Sequence, residues 1–128
     1  MAVTDHWWDN LTRDRSAEIL ELVLDAIAGD YETLEIILRT INQCYRDEPD
    51  LKDWKALRAL PVFRPEATSA LRELTQEGFA QAYTYDAATK QYHAVNFRAD
   101  HAGVLWFYVT DKGMRAVDRI HKQTHEIS

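Results

Sequence analysis

The chain has 128 residues, 46% of them hydrophobic and 28% charged, so it is long enough for one domain with a real core and is not of disordered composition. A single cysteine, Cys44, excludes an intramolecular disulfide and a cysteine-based zinc site and indicates a reduced, cytoplasmic setting. No apolar run reaches the roughly 20 residues that a membrane-spanning helix needs, and the acidic start MAVTDHWWDN lacks the features of a signal peptide.

The net charge of −6 is unevenly distributed along the chain. Residues 1–50 carry twelve acids and four bases, a balance of −8, whereas residues 51–128 carry nine acids and eleven bases, a balance of +2. An acidic first part and a mildly basic second part are compatible with nucleic-acid binding.

The first third of the chain is predicted to be helical. Paired tryptophans at Trp7 and Trp8 predict packing over the edge of the core or against a partner subunit. The segment Ser16–Ala28 is apolar around most of its circumference, which predicts a buried central helix. Only three acids on this helix are left to face water: Glu18, Glu21 and Asp25.

A second helix is predicted over Tyr31–Tyr45, where apolar residues fall on one stripe and Asp30 can cap the first turn. Cys44 lies within that stripe and is therefore expected to be a small buried hydrophobe. The periodicity of Leu51–Leu60 predicts a further short helix, which Pro61 ends. A helix-turn-helix can be formed with either of these two helices as its first member, and the short turn favours Leu51–Leu60.

The next helix begins near Pro65, which suits the first helical position, and ends before Gly78. Three strands follow, at Phe79–Tyr85, Gln91–Phe97 and Val104–Thr110, with a turn between the first two. Thr110 and Asp111 can cap a last helix. We therefore predict one α+β domain, a mostly helical winged helix-turn-helix with a small antiparallel wing of two to three strands. Its parts are helices (1–50), a helix-turn-helix (51–77), a β-wing (79–110) and a C-terminal helix (111–125).

The phrases LRELTQEGF and WFYVTDKGMRAV, separated by a predicted hairpin, resemble the winged helix-turn-helix domains of bacterial regulators of the MarR and PadR type. In those families the recognition helix ends with a leucine, a glutamate, a glycine and an apolar residue, in that order. The last strand of the wing leads into a tyrosine, an apolar residue, a threonine, any residue, a lysine and a glycine. The likeness covers about fifty residues and implies a homodimeric transcriptional regulator that binds double-stranded DNA. The matching residues are mostly those that pack, so DNA contacts must be sought at exposed positions.

On the helix at about 65–77, Arg72 is the expected base or phosphate contact and Gln76 is within reach of base edges. Short polar side chains near the start of this helix are expected to bind phosphates, and further bases supply flanking positive charge in the helix-turn-helix and the wing. The complete set of candidate DNA contacts is Lys55, Arg58, Arg64, Thr68, Ser69, Arg72, Gln76, Lys90 and Arg98.

Functions other than DNA binding would require different features of the sequence. A winged helix used as a protein–protein interaction module would show an exposed aromatic patch around Trp54, Trp106 or Phe107. A small-molecule sensor would need a pocket between Tyr45, Trp54 and the first helix. His121 and His125 have metal-chelating spacing, but no third ligand accompanies them, so no metal or other cofactor is predicted. The chain contains no catalytic motif, so an enzyme is not expected.

Overall fold

A computed structural model describes residues 14–127, with side chains described as far as residue 122. The fold is α+β, with four α-helices and one four-stranded antiparallel sheet in this part of the chain. In chain order the elements are α1 (Arg15–Ala26), β1 (Glu32–Thr33), α2 (Leu34–Arg39), α3 (Arg64–Gln76), β2 (Ala80–Asp86), β3 (Gln91–Val95), β4 (Trp106–Val109) and α4 (Asp111–Ile127). No helix within residues 14–127 is long and apolar enough to cross a membrane.

The first helix, α1, is the buried central helix that the sequence predicts. Its Asp14 cap accepts a hydrogen bond from the backbone N–H of Ala17 at 2.9 Å. The prediction that Glu18 and Glu21 face water is wrong, because they are only 3% and 1% exposed. Both carboxylates receive donors from a distant segment: Arg58 bonds Glu18 at 2.6 Å and the indole N–H of Trp54 bonds Glu21 at 3.3 Å.

The segment expected as one helix over Tyr31–Tyr45 is divided. Strand β1 comes first, and α2 is capped by Thr33, whose hydroxyl oxygen accepts from the N–H of Ile36 at 3.3 Å, rather than by Asp30. The helix continues as a π-helical turn over Thr40–Cys44. Because a π turn is wider than an α turn, it rotates Cys44 out of the apolar stripe, and the prediction that this cysteine is buried is wrong.

No α-helix forms over Leu51–Leu60. This part of the chain contains two 3₁₀ segments, Pro49–Leu51 and Lys55–Ala59. Trp54 lies between them with only 5% of its surface exposed, because it packs against α1. The apolar spacing therefore marked side chains that pack on the core, with Leu51, Leu57 and Leu60 partly buried, but i to i+3 bonding replaces an α-helix before α3.

Helix α3 has the predicted limits and the predicted buried face. Glu66 closes its first turn by accepting the N–H of Phe63 at 3.0 Å. Gly78 follows the helix with a φ of +79°, a conformation that favours glycine. The buried side of α3 consists of Ala67, Ala70, Leu71 and Leu74.

The sheet has the strand order β1-β4-β2-β3, one strand more than the two to three expected. The additional strand, β1, has two residues, too few for a periodic signal, and pairs with Trp106 and Phe107 of β4. The hairpin of β2 and β3 forms as predicted, with Tyr85 opposite Tyr92. One face of the sheet joins the helical core through Ala80, Ala82, Phe107 and Val109.

A compact junction connects the end of α3 to the start of α4. The hydroxyl of Thr110 accepts the N–H of Gly113 at 3.1 Å, as the predicted cap, and donates to the carbonyl of Gly78 at 2.6 Å. The ammonium of Lys112 donates to the carbonyl of Glu77 at 2.8 Å. Thr110, Lys112 and Gly113, which match the wing motif of the resembled families, therefore connect the end of α3 to the start of α4.

Candidate nucleic-acid interface

The exposed side of α3 carries three of the candidate DNA contacts in one row. Ser69, Arg72 and Gln76 are spaced i, i+3 and i+7, so they share one face of the helix, and all three are exposed. Since Ala67, Ala70, Leu71 and Leu74 hold the opposite side in the core, this row points away from the body of the protein. The structure thus brings these three residues together.

A groove of about 500 Å³ lies between α3 and the hairpin. Arg72, Thr75 and Gln76 form its helical wall. The opposite wall is formed by Ala80–Ala82 and 95–97, with Ala99 at one end. In the described part of the chain, no side-chain hydrogen bond or ion pair is found for Arg72, Gln76 or Asn96, so their polar groups are available to a ligand.

Two hydroxyl groups near these residues already have partners. Thr68 donates to the carbonyl of Arg64 at 2.9 Å, and Thr75 donates to the carbonyls of Leu71 and Arg72 at 2.8 and 2.9 Å. Ser69 borders a second groove, of about 330 Å³, between α3 and α1, and this groove also contains Glu66 and Glu73. Of the two candidates Thr68 and Ser69, Ser69 therefore has the freer hydroxyl for donating a hydrogen bond to a phosphate, but it has acidic neighbours.

Three of the candidate arginines are engaged in ion pairs. Arg64 pairs with Glu35 of α2. Arg58 pairs with the buried Glu18 at 2.6 Å, and its backbone belongs to the 3₁₀ segment that packs on α1. Arg98 pairs with Asp100, two residues along the chain, at 3.1 Å. These pairs reduce the positive charge that the arginines can offer to phosphates.

The two candidate lysines are exposed but lie apart from the row on α3. Lys90 is at the tip of the hairpin, where it adopts a φ of +57°. Lys55 belongs to the 3₁₀ segment Lys55–Ala59. Neither forms an ion pair with another described side chain, so both remain available for phosphate contacts at the edges of an interface.

The interface also includes residues that the sequence did not single out. Gln81 lines the groove and bonds the carbonyls of Ala82 and Val95 at 2.9 and 2.8 Å, which fixes that wall. Asn96 and Phe97 follow β3 and complete the wall. The position of Gln81 at this groove could not be read from the sequence, because its bond to Val95 joins residues that are 14 positions apart in the chain.

The aromatic residues expected to mark an interaction surface are divided by the structure. Phe107 is fully buried and Trp54 is 5% exposed, so neither forms an exposed patch. Trp106 is half-buried on the outer face of the sheet. Tyr45 and Trp54 contact each other, with ring centroids 5.9 Å apart, in the place suggested for a sensor pocket.

The last helix shows no metal centre in its described part. The Nε2 atom of His121 lies 2.5 Å from a carboxylate oxygen of Asp25, and the other oxygen accepts from the hydroxyl of Tyr45 at 2.7 Å. The side chain of His125 lies outside the described residues. No group of three or more metal-ligating side chains occurs among the residues that the structure describes.

No protein family model, curated protein or solved structure matches this chain.

Proposed function

We propose that the chain is a DNA-binding transcriptional regulator with a winged helix, and that α3 enters the major groove. The proposal is supported by the succession of α1, β1, α2 and α3, followed by a hairpin and by β4, which lies between β1 and β2 in the sheet. This connectivity sets an exposed helix beside an antiparallel hairpin. Such an arrangement suits the docking of a helix in the major groove with a hairpin on the adjoining backbone.

The single observation that carries the proposal is the pair Arg72 and Gln76 on the exposed side of α3. Arginine can donate two hydrogen bonds to guanine, and glutamine can form two with adenine, so the pair has the chemistry of base recognition. Helix α3 has 13 residues, which corresponds to about 20 Å, enough to follow the groove over several base pairs.

The ion pairs at Arg58, Arg64 and Arg98 lead to a quantitative expectation. If these arginines keep their carboxylate partners, the main phosphate contacts come from Arg72, Lys55 and Lys90. Each neutralised phosphate contributes about −0.9 to the slope of log K against log salt. The expected slope is therefore about −3 for each protomer, and about twice that for the proposed homodimer.

The test is fluorescence anisotropy with labelled duplex from the chain's own upstream region, at low and moderate salt. Arg72→Ala and Gln76→Ala should each weaken binding by about 1–3 kcal/mol and relax preference at one base position. Arg46→Ala removes an exposed arginine outside α3 and serves as the matched control. A folded protein that shows no binding at low salt, or an Arg72→Ala variant that binds like the Arg46→Ala variant, would reject the proposal.

We also propose that the regulator acts in the cytoplasm as a homodimer, because a two-fold dimer matches two DNA half-sites. By analogy with the resembled families, we expect the terminal helices and the Trp7–Trp8 segment to form the dimer surface, and α4 is the C-terminal one of these helices. The Trp7–Trp8 pair, the other expected part, lies outside the described residues. Light scattering of the purified chain, alone and with duplex, measures the assembly directly.

The second candidate function is a protein–protein interaction module. It is favoured by the ion pairs that neutralise Arg58, Arg64 and Arg98, because a DNA-binding surface is normally more positive. This function would use the exposed surfaces of the same fold without DNA.

A further inference from the structure

The two edges of the β-sheet differ in length. Strand β1 forms one edge and has two residues, whereas β3 forms the other edge and has five. An edge strand carries a row of unpaired backbone groups that can pair with another chain. Proteins usually prevent such pairing by keeping the edge strand short or by placing charged residues, proline or a bulge in it. The β1 edge is protected in the first of these ways.

Strand β3 has none of these protective features. Its sequence, QYHAV, contains no lysine, arginine, acid or proline. It pairs with β2 at five consecutive positions, so no bulge interrupts it. Gln91, His93 and Ala94 are exposed, and none of the other described strands lies beyond them. The β3 edge is therefore regular, uncharged and accessible.

Backbone hydrogen bonds alternate in direction along β2. The N–H of Thr110 donates to the carbonyl of Phe79 at 3.0 Å, so the carbonyl of Phe79 points to the β4 side. Alternation then turns the backbone groups of Ala82 towards β3. The side chain of Gln81 supports this direction. Its Nε2 atom donates to the carbonyls of Ala82 and Val95 at 2.9 and 2.8 Å, so both carbonyls lie between β2 and β3.

The same alternation fixes the directions along β3. Val95 bonds β2, and therefore so do His93 and Gln91. Tyr92 and Ala94, which lie between them, point their N–H and carbonyl groups out of the sheet. In the described part of the chain, no backbone hydrogen bond to these outward groups is found. Tyr92 and Ala94 therefore present donors and acceptors to a further strand.

A second copy of β3 matches these groups in an antiparallel arrangement. When His93 lies opposite His93 of the second copy, each Tyr92 lies opposite an Ala94. Every outward N–H of the strand then meets an outward carbonyl. The side chains also fit, because the large ring of Tyr92 comes beside the small side chain of Ala94. No charged residue of either strand is brought opposite another.

The neighbouring two-fold registers match these groups less completely. One of them places Ala94 opposite Lys90, which lies in the turn before β3 and has a φ of +57°. The other places Tyr92 opposite Asn96, which lies beyond the end of the strand. The register centred on His93 is therefore the one in which strand residues meet strand residues throughout.

We propose that β3 pairs with β3 of a second copy about a two-fold axis at His93, which joins two four-stranded sheets into one continuous antiparallel sheet. Such a contact is isologous, so the same residues act on both chains. It includes neither Arg72 nor Gln76 nor the terminal helices. The proposal therefore does not rest on DNA binding or on the dimer surface expected from the resembled families. A chain with both self-contacts would assemble beyond a dimer.

Thiol cross-linking of the full chain tests the register. All variants carry Cys44→Ser, because Cys44 is exposed. In the proposed pairing the two Cα atoms at position 93 are about 4.5 Å apart, a distance that a disulfide can span. Under mild oxidation, His93→Cys should therefore form disulfide-linked dimers.

Thr84→Cys is the matched control for cross-linking. Thr84 is exposed and lies directly opposite His93, but on β2. In the proposed assembly the two copies of this position are three strand spacings apart, roughly 14 Å, which is too far for a disulfide. His93→Cys should cross-link about tenfold faster or more than Thr84→Cys, because pairing raises its effective concentration.

Charge exchange at position 93 tests association at equilibrium. His93→Glu or His93→Lys alone places like charges directly opposite each other and should weaken self-association by about two- to fivefold. A mixture of the two variants places opposite charges there and should restore association. Sedimentation velocity over a range of concentrations measures both effects. Thr84→Glu and Thr84→Lys, alone and mixed, are the controls and should show neither effect.

Amide exchange separates β3 pairing from self-association at another surface. When the protein concentration is raised, exchange at Tyr92 and Ala94 should slow, because their N–H groups gain acceptors. Exchange at His93, whose N–H already bonds β2, should change little. Amide spectra of the variants verify that the hairpin is folded.

Three results would overturn the proposal. They are equal cross-linking of His93→Cys and Thr84→Cys, mixed charge variants that associate no better than either variant alone, and exchange at Tyr92 and Ala94 that does not depend on concentration. A dimer through the terminal helices would leave all three readouts unchanged. Duplex titration of the Arg72→Ala variant tests α3 separately, so failure of one proposal is distinguishable from failure of the other.

Discussion

The guanidinium group of Arg15 forms two hydrogen bonds with the carboxylate of Glu66, at 2.8 and 2.9 Å, and so joins the first turn of α1 to the first turn of α3. The same arginine donates to the carbonyls of Ala59 and Pro61 at 2.7 and 2.9 Å. One side chain therefore fixes the helix proposed to enter DNA and the segment that leads into it.

This contact predicts a specific dependence of stability on pH. The hydrogen bonds from Arg15, and next the N–H of Phe63, lower the pKa of Glu66 from 4.5 to about 2. A carboxyl whose pKa is lower in the folded state stabilises the fold above its unfolded pKa and loses that contribution as the pH falls from 4.5 towards 2. Glu66→Gln should therefore lower the free energy of unfolding at pH 7 by about 1 kcal/mol, since the pair is partly exposed to solvent.

Urea unfolding at pH 7, 4 and 2.5, followed by tryptophan fluorescence, measures this effect. The difference between Glu66→Gln and the original protein should shrink towards the lowest pH. Asp118→Asn removes an exposed acid on α4 and should give a nearly constant, small difference. A Glu66→Gln effect that is equal at all three pH values would show that the lost stability is not electrostatic.

Arg58 is predicted to matter for stability rather than for DNA. Its partner Glu18 has a side chain that is only 5% exposed, so Arg58→Ala leaves a buried carboxylate without the guanidinium group that donates to it. We expect a loss of about 1–3 kcal/mol in the free energy of unfolding. Arg46→Ala, at an exposed position, should change it by less than about 0.5 kcal/mol.

A double variant separates charge from packing at this site. Adding Glu18→Gln to Arg58→Ala removes the buried negative charge and should recover part of the lost stability. No recovery would indicate that the aliphatic part of Arg58 provides the stabilisation.

Gly113 is predicted to be intolerant of even one methyl group. A Cβ at this position would overlap the carbonyl oxygen of Phe79 and lie 2.5 Å from a methyl carbon of Val109. Alanine normally stabilises a helix relative to glycine, but the overlap should dominate and lower the free energy of unfolding by about 1–3 kcal/mol. Gly29→Ala is the control, because nothing lies within 4 Å of its Cβ position. Equal stability of the two variants would contradict the close approach.

Sequence-based prediction succeeded where the interactions join residues that are close in the chain, and it failed where they join distant residues. Helix α3 was predicted well because Pro65, its apolar spacing and Gly78 are all local signals. The hairpin and the Thr110 cap are local in the same sense. The burial of Glu18 and Glu21 could not be predicted, because their donors are 40 and 33 residues away.

Two other differences between the predictions and the structure have geometric causes. A π turn moved Cys44 out of its stripe, and a sequence pattern based on 3.6 residues per turn contains no sign of such a turn. The contacts of the Tyr31 ring with the rings of Tyr83 and Tyr92 were not predicted, because these residues come from separate parts of the chain. For the candidate interface, the sequence predicted that Ser69, Arg72 and Gln76 are exposed on α3. The pairs of Arg58 with Glu18 and of Arg64 with Glu35 could not be predicted, because these residues are 40 and 29 positions apart in the chain.

The buried carboxylates of α1 have a consequence for synthesis of the chain on the ribosome. Helix α1 is synthesised before Trp54 and Arg58, the donors to Glu21 and Glu18, which emerge only later. Until then both acids must remain hydrated, which opposes burial of the helix face that carries them. We therefore expect the nascent N-terminal part to stay loosely packed until the segment around residue 58 has left the exit tunnel, so that folding of the core is largely delayed until this segment is available.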